Sequence, residues 1–239
     1  MDKLIVMKNK AKSFLAQQKI AVGVIAVIAV AIVGYFSTLV LQESPILGDF
    51  VEGEHYLLIE DPRRVRGDQI EILEFFSYGC IHCYNFDPVL GDWAESKGES
   101  IKFVRMPAVS NDYWRLLGRN FYTLEKLGLT EEYHLPFFRE IHEVGRNFSS
   151  PEKLADYFEG HGVPREDYLK AFNSPEVSRN LSNADQMARR LRTSSVPTIV
   201  VNGKYMVKVT GVVGTSRMLD VMDHLIEKES AQSAPDETL

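Results

Sequence analysis

This chain of 239 residues has little cysteine: only Cys80 and Cys83. With no other thiol in the chain, any bridge within it joins these two, and such a lone pair points to redox chemistry. Histidine is sparse as well. His55, His134, His142, His161 and His224 are scattered with no second ligand pair at metal spacing, which argues against a structural zinc site built from four Cys or His ligands. An excess of positive charge is missing beyond the N-terminus. Lys3, Lys8, Lys10, Lys12 and Lys19 against Asp2 give the first 19 residues +4, so a chain of net −6 leaves −10 on the rest. A domain that acidic has no electrostatic footprint for nucleic acid. No internal repeat or low-complexity segment is evident. Fewer than 40 residues, 43–79, separate the N-terminal apolar run from the cysteines, which leaves no room there for a separate domain.

The chain does hold 45% apolar residues, enough for one ordinary core or a core with an inserted subdomain. Residues 20–41, 22 positions, carry no charge and are almost all apolar. At 1.5 Å rise per residue such a helix crosses a hydrocarbon core of roughly 30 Å. The segments expected are therefore a basic cytoplasmic stretch over 1–19, a transmembrane anchor over 20–41 and a linker over 42–54. Lysines before the anchor put everything after it on the far side of the membrane, where disulfides persist. The competing reading is a cleaved signal peptide, because Ala29-Val30-Ala31 has the small-residue pattern of a cleavage site. Cleavage would leave a soluble periplasmic protein.

A folded domain is expected over 55–228 and a flexible polar tail over 229–239. Residues 55–59 form a short strand candidate. Ile70-Glu71-Ile72-Leu73-Glu74-Phe75-Phe76 has the content and length of a buried strand. A helix starts at or near Cys80, since Phe86, Leu90 and Trp93 make one apolar face. Residues 101–104 read as a strand. The period then becomes helical over 113–127, 131–144, 151–158, 165–172 and 175–191, with Ser150-Pro151 and Ser174-Pro175 as N-cap and first-turn pairs. Strand character returns at 198–201, Asn202-Gly203 is a hairpin turn into 204–209, and a last helix covers 216–226. The sum is an α/β domain interrupted by an α-helical insert over about 110–192.

Two cysteines at i and i+3 in a first helical turn lie on one side, within disulfide reach. Cys80 at the helix start meets the positive end of the peptide dipoles and unpaired N–H groups, and both favour its thiolate. Cys83, one turn in, is expected to be buried and less acidic. Cys80 then exchanges with partner thiols and Cys83 resolves the mixed disulfide. His82 has two readings: a solvated surface residue, or a group that donates a hydrogen bond or, when protonated, a charge to the Cys80 sulfur, which its place between the two thiols favours. Anything that favours the reduced pair makes the disulfide a stronger oxidant, so an oxidising poise is expected. Glu74 has two readings: a carboxylate at a strand end facing solvent, or a buried proton acceptor that helps Cys83 ionise. Pro197, within Val196-Pro197-Thr198, is an ordinary strand-start proline or, if cis, exposes a backbone edge beside the cysteines where an extended substrate adds as a strand.

The stretch from Phe75 to Phe86 around Cys80-Ile81-His82-Cys83, with Val196-Pro197-Thr198 and the strand and turn that follow, resembles the DsbA family of thiol:disulfide oxidoreductases. Pro197 follows Cys83 by 114 positions, a spacing that suits a thioredoxin-like fold carrying that family's helical insertion. The resemblance implies Cys80 as exposed nucleophile, Cys83 as resolving thiol, His82 as thiolate stabiliser, Pro197 as the cis-proline facing the disulfide, and Glu74 as the buried acid. Two features depart from the pattern: Ile81 stands where the family dipeptide has proline, and the N-terminal anchor is unlike soluble members.

The expected function is donation of the Cys80–Cys83 disulfide to reduced or unfolded secreted proteins, with reoxidation by a DsbB-like quinone-linked membrane protein and with no cofactor beyond the redox-active disulfide. The expected location is the bacterial inner membrane, with the catalytic domain in the periplasm. The alternatives are an isomerase or reductase of the same fold and, from another class, a redox-inactive chaperone or metal-binding module.

Overall fold

The computed structural model describes residues 50–233. At its centre is a five-stranded sheet made of β1 (Leu57–Leu58), β2 (Ile70–Phe76), β3 (Ile101–Pro107), β4 (Thr198–Val201) and β5 (Tyr205–Lys208), in the order β1-β5-β4-β2-β3. β2 is an inner strand, antiparallel to β4 on one side and parallel to β3 on the other. Residues 71–76 are therefore buried on both faces, which explains why this strand is almost continuously apolar. In the parallel register Glu74 lies opposite Arg105. The β4–β5 hairpin turns through Asn202 and Gly203, both at positive φ (50° and 68°), as an Asn-Gly two-residue turn requires. A side chain at position 203 would meet the Arg63 carbonyl oxygen at 2.3 Å, so glycine is needed there for space as well.

Two helices cover one face of the sheet: α1 (Ile81–Lys97), which follows β2, and the C-terminal α7 (Thr215–Ser233). Phe86 and Leu90 of α1 pack with Ile72, Ile199 and Val207 of the sheet and with Met218, Met222 and Leu225 of α7, all essentially inaccessible. Between β3 and β4 the chain makes five helices: α2 (Asp112–Leu127), α3 (Thr130–His142), α4 (Pro151–Glu159), α5 (Arg165–Phe172) and α6 (Pro175–Arg190). Their starts are capped as their residues dictate. Asn111, Ser150 and Ser174 accept the amide hydrogens of Trp114, Lys153 and Val177, and proline occupies the first turn of α4 and of α6.

The insert has an aromatic core of Phe121, Phe137, Phe138, Phe148, Phe158 and Tyr168 that runs on, without a break, into Phe76, Tyr78, Cys80 and Cys83. The cysteine pair is thus packed into the insert's core.

Several boundaries differ from the sequence reading, three of them by enough to matter. The last helix continues to Ser233, so residue 229 does not open a tail. Glu229 is 1% exposed and accepts hydrogen bonds from Asn202, from Lys204 at 2.6 Å and from Tyr205 at 3.0 Å, tying the helix end to the hairpin. At the other end Phe50 is already buried and Glu52 bridges Tyr56, so the linker expected over 42–54 yields to folded chain from residue 50. β3 also runs three residues past 104 because its pairing with β2 persists to Pro107. The apolar run 20–41 and the basic stretch before it lie outside the described residues. Among the described residues no helix is long and apolar enough to cross a membrane.

Candidate active site

β2 ends at Phe76, and Ser77, Tyr78 and Gly79 turn the chain so that Cys80 is the N-cap of α1. The Cys80 N–H donates to the Ser77 carbonyl at 3.0 Å, and Ser77 Oγ accepts from the Gly79 N–H at 3.2 Å. Cys80 does what a serine or aspartate usually does at this position: its Sγ accepts the Cys83 N–H at 3.4 Å. An acceptor held against unpaired helix amides favours the anion. Its pKa falls to about 6. The largest contribution is a hydrogen bond from the Cys83 side chain; burial opposes it, and the amides of Cys83 and His82 and the His82 charge add to the lowering.

His82 itself is exposed on α1, and its charge is the smallest of these contributions. The Cys83 thiol, followed by the helix amides, does most of what the sequence reading gave to His82. Cys83 is completely buried, and its thiol is driven far above the ordinary range, first by that burial and then by Cys80 and Glu74. Both cysteines are free thiols in this structure. Cys80 is 9% exposed, less open than the resemblance implied, because the loop before β4 covers it.

That loop contains a cis Val196–Pro197 peptide bond. The Val196 carbonyl oxygen lies 3.6 Å from Cys80 Sγ, where the thiol donates to it. Thr198, 1% exposed, fixes the loop from the other side by donating its hydroxyl to the Ser195 carbonyl at 2.7 Å, and it pairs with Phe75 as the first residue of β4. Val196 and Cys80 therefore meet although more than a hundred positions separate them, with Pro197 and Thr198 next in the same loop.

Glu74 is buried, 1% exposed, which excludes the solvent-facing reading. Burial raises its pKa to about 7; Arg105, whose Nε donates to Glu74 Oε2 at 3.3 Å, limits the rise, while Asp87 and Cys80 add to it.

Four further groups complete the site and were not singled out from sequence. Arg105 Nη2 also donates to Asp87 Oδ1 at 3.0 Å, and Asp87 Oδ1 meets His134 Nε2 at 3.0 Å. His142 Nε2 meets the Tyr78 carbonyl at 2.8 Å, and its ring stacks on Tyr84 at 5.3 Å between centroids. Asp87 and Arg105 did carry a signal. Asp87 is one helical turn after Cys83, and Arg105 is a charge set between Val104 and Met106 in the inner half of a largely apolar strand. His134 carried none, because a histidine among Tyr133, Phe137 and Phe138 reads as helix core.

A thioredoxin-like sheet interrupted by a helical block, with a Cys-x-x-Cys pair capping a helix against a cis-proline loop, defines a thiol:disulfide oxidoreductase. The sequence profile of the DSBA-like thioredoxin domain matches residues 92–226. The thiol:disulfide interchange protein DsbA of Pseudomonas aeruginosa PAO1 is 36% identical over 184 residues, covering 77% of this chain and 87% of the relative. That of Azotobacter vinelandii is 39% identical over 165 residues, 69% of this chain and 77% of the relative. The crystal structure of Pseudomonas aeruginosa DsbA superposes with a TM-score of 0.74 at 35% identity over 77% of this chain and 97% of that one. DsbA from Xylella fastidiosa gives 0.71 at 33% identity, over 76% and 98%. The chain belongs to the DsbA family and is a thiol:disulfide oxidoreductase.

Proposed function

We propose that this enzyme donates its Cys80–Cys83 disulfide in the periplasm, with Cys80 as the exchanging sulfur. A client thiolate attacks Cys80 Sγ, the Cys80–Cys83 bond breaks, and Cys83 leaves as a thiolate that takes a proton from Glu74. A second client thiolate attacks the client sulfur of the mixed disulfide and expels Cys80 as a thiolate. The client loses two electrons and the pair gains them. Val196, Pro197 and Thr198 hold the client segment in extended form beside the sulfur, and His82 supports the Cys80 anion from the open side.

The observation that carries this reading is the capping geometry of Cys80. An acceptor sulfur at a helix start makes the released thiolate a good leaving group, and it makes reduction of the pair favourable. Equilibration of the protein with glutathione tests it. A potential well above thioredoxin's, about −270 mV, is the expected result, and one close to that value overturns the donor role in favour of a reductase.

Residues 20–41 support a finer statement: the domain is tethered to the inner membrane by an N-terminal anchor and reoxidised there by a DsbB-like quinone-linked protein. Fractionation with membranes and an intact N-terminus are expected. A soluble mature chain beginning near Ile32 overturns the tether in favour of signal cleavage after Ala29-Val30-Ala31.

A further inference from the structure

One run of hydrogen bonds joins the helical insert to the acid of the redox site. Tyr78 Oη meets His134 Nδ1 at 2.8 Å, and His134 Nε2 meets Asp87 Oδ1 at 3.0 Å. Arg105 Nη2 donates to the same Asp87 oxygen at 3.0 Å, and Arg105 Nε donates to Glu74 at 3.3 Å. Tyr78, His134, Asp87 and Glu74 are each at most 6% exposed.

The chemistry of the partners assigns the direction of each bond. Asp87 is buried, yet its pKa lies below the ordinary value because His134 and Arg105 outweigh the burial, so it is an acceptor. His134 therefore carries its proton on Nε2 and donates it to Asp87, which leaves Nδ1 to accept from the Tyr78 hydroxyl. Burial lowers the pKa of the His134 ring despite Asp87, which keeps it neutral.

Arg105 is a single guanidinium facing two carboxyl groups. How its charge divides between them depends on what else holds Asp87. We propose that His134 is a positioning residue through which the insert governs the proton on Glu74: by donating to Asp87 it leaves the Nε–H and charge of Arg105 available to Glu74. Without that donor Asp87 draws the guanidinium to itself, and Glu74 holds its proton more tightly.

The groups facing His134 are Tyr78, Asp87 and Arg105 from the thioredoxin core and Glu131 from its own helix; those facing Glu74 are Arg105, Asp87, Cys80, Cys83 and Tyr78. The same helix also grips Tyr78 at its carbonyl through His142, so α3 keeps a hold on the redox turn when His134 is changed. The inference rests on the reading in which Glu74 exchanges a proton with Cys83.

The test follows the Glu74 carboxyl carbon by NMR across pH in the full chain, with Glu74→Gln assigning the signal. His134→Phe fills the ring volume without a donor, and His134→Gln places an amide N–H near the lost Nε2. The expected midpoint is close to that of the parent in His134→Gln and about one unit higher in His134→Phe, a tenfold change in proton affinity. A midpoint in His134→Phe that is unchanged or lower overturns the proposal. If His134→Phe does not fold, His134→Asn, whose amide is too short to reach Asp87, takes its place with the same two outcomes. The parent reading fails separately: a pH profile of client oxidation that Glu74→Gln leaves unaltered removes the proton transfer, whatever His134 does to the midpoint.

Discussion

Cys80 Sγ lies 3.6 Å from the carbonyl oxygen of Val196, a residue 116 positions later in the chain. A carbonyl this close is a neighbour a thiol tolerates well and a thiolate poorly. The same sulfur accepts from the helix amides, so the site holds one group that opposes the anion and several that favour it. The balance lies with the anion.

Titration of Cys80 should show this directly. Thiolate absorbance near 240 nm is expected to rise with a midpoint of about 6. Replacing Cys83 with Ala removes the largest stabilising contact and should move the midpoint upward. An unshifted thiol in the parent, near 8.5, would remove the basis for an oxidising potential.

Glu74 should make the protein less stable as pH rises. Its pKa is raised from 4.5 in the unfolded chain to about 7 in the folded one, so its contribution is fully present below 4.5 and is lost as pH climbs through 7. Across that window the parent should lose about 3 kcal/mol relative to Glu74→Gln, at roughly 1.4 kcal/mol per unit. Urea unfolding of both proteins at pH 4.5 and 7.5 measures the difference. Parallel pH profiles would show that the carboxyl is not held as described.

Gly79→Ala tests the contact between the redox turn and the insert. A Cβ there would fall 2.7 Å from Trp114 Nε1, and an indole packed on the turn can yield only by moving as a ring. Overpacking of this kind costs about 1–3 kcal/mol. A lower melting temperature and a shifted tryptophan emission are expected, and a change in neither would mean that the two segments are not in contact.

Truncation after Lys228 should destabilise the domain although it removes only the last residues of a helix. Lys204, Asn202 and the Tyr205 hydroxyl lose the carboxylate of Glu229, and a buried donor left without a partner, as the Tyr205 hydroxyl would be, costs about 1–3 kcal/mol. Truncation after Ser233 should keep the parent's stability. Equal stability of the two truncated chains would restore the earlier view of residue 229 as the start of a tail.

Much of the architecture was legible because it is written in local periods. β2 shows as a β-branched and aromatic run, α1 as an apolar stripe at Phe86, Leu90 and Trp93, and the insert as a change of period bounded by Ser-Pro pairs. The misreadings fell where a polar residue is buried by a distant partner. Glu229 looks like tail because nothing in its neighbourhood reveals Asn202 and Lys204. His134 shows in the sequence only as one of several scattered histidines for the same reason, since Asp87 lies 47 positions away.

The order of residues alone determined that two lone thiols would sit one turn apart at a helix start, since spacing and helical geometry are local properties of the chain. Tertiary packing decided what those thiols experience: which carbonyl covers Cys80, how completely Cys83 is dried, and which cation Glu74 must share with Asp87. Burial and charge proximity are set by contacts between segments far apart in the chain, and no local pattern encodes them.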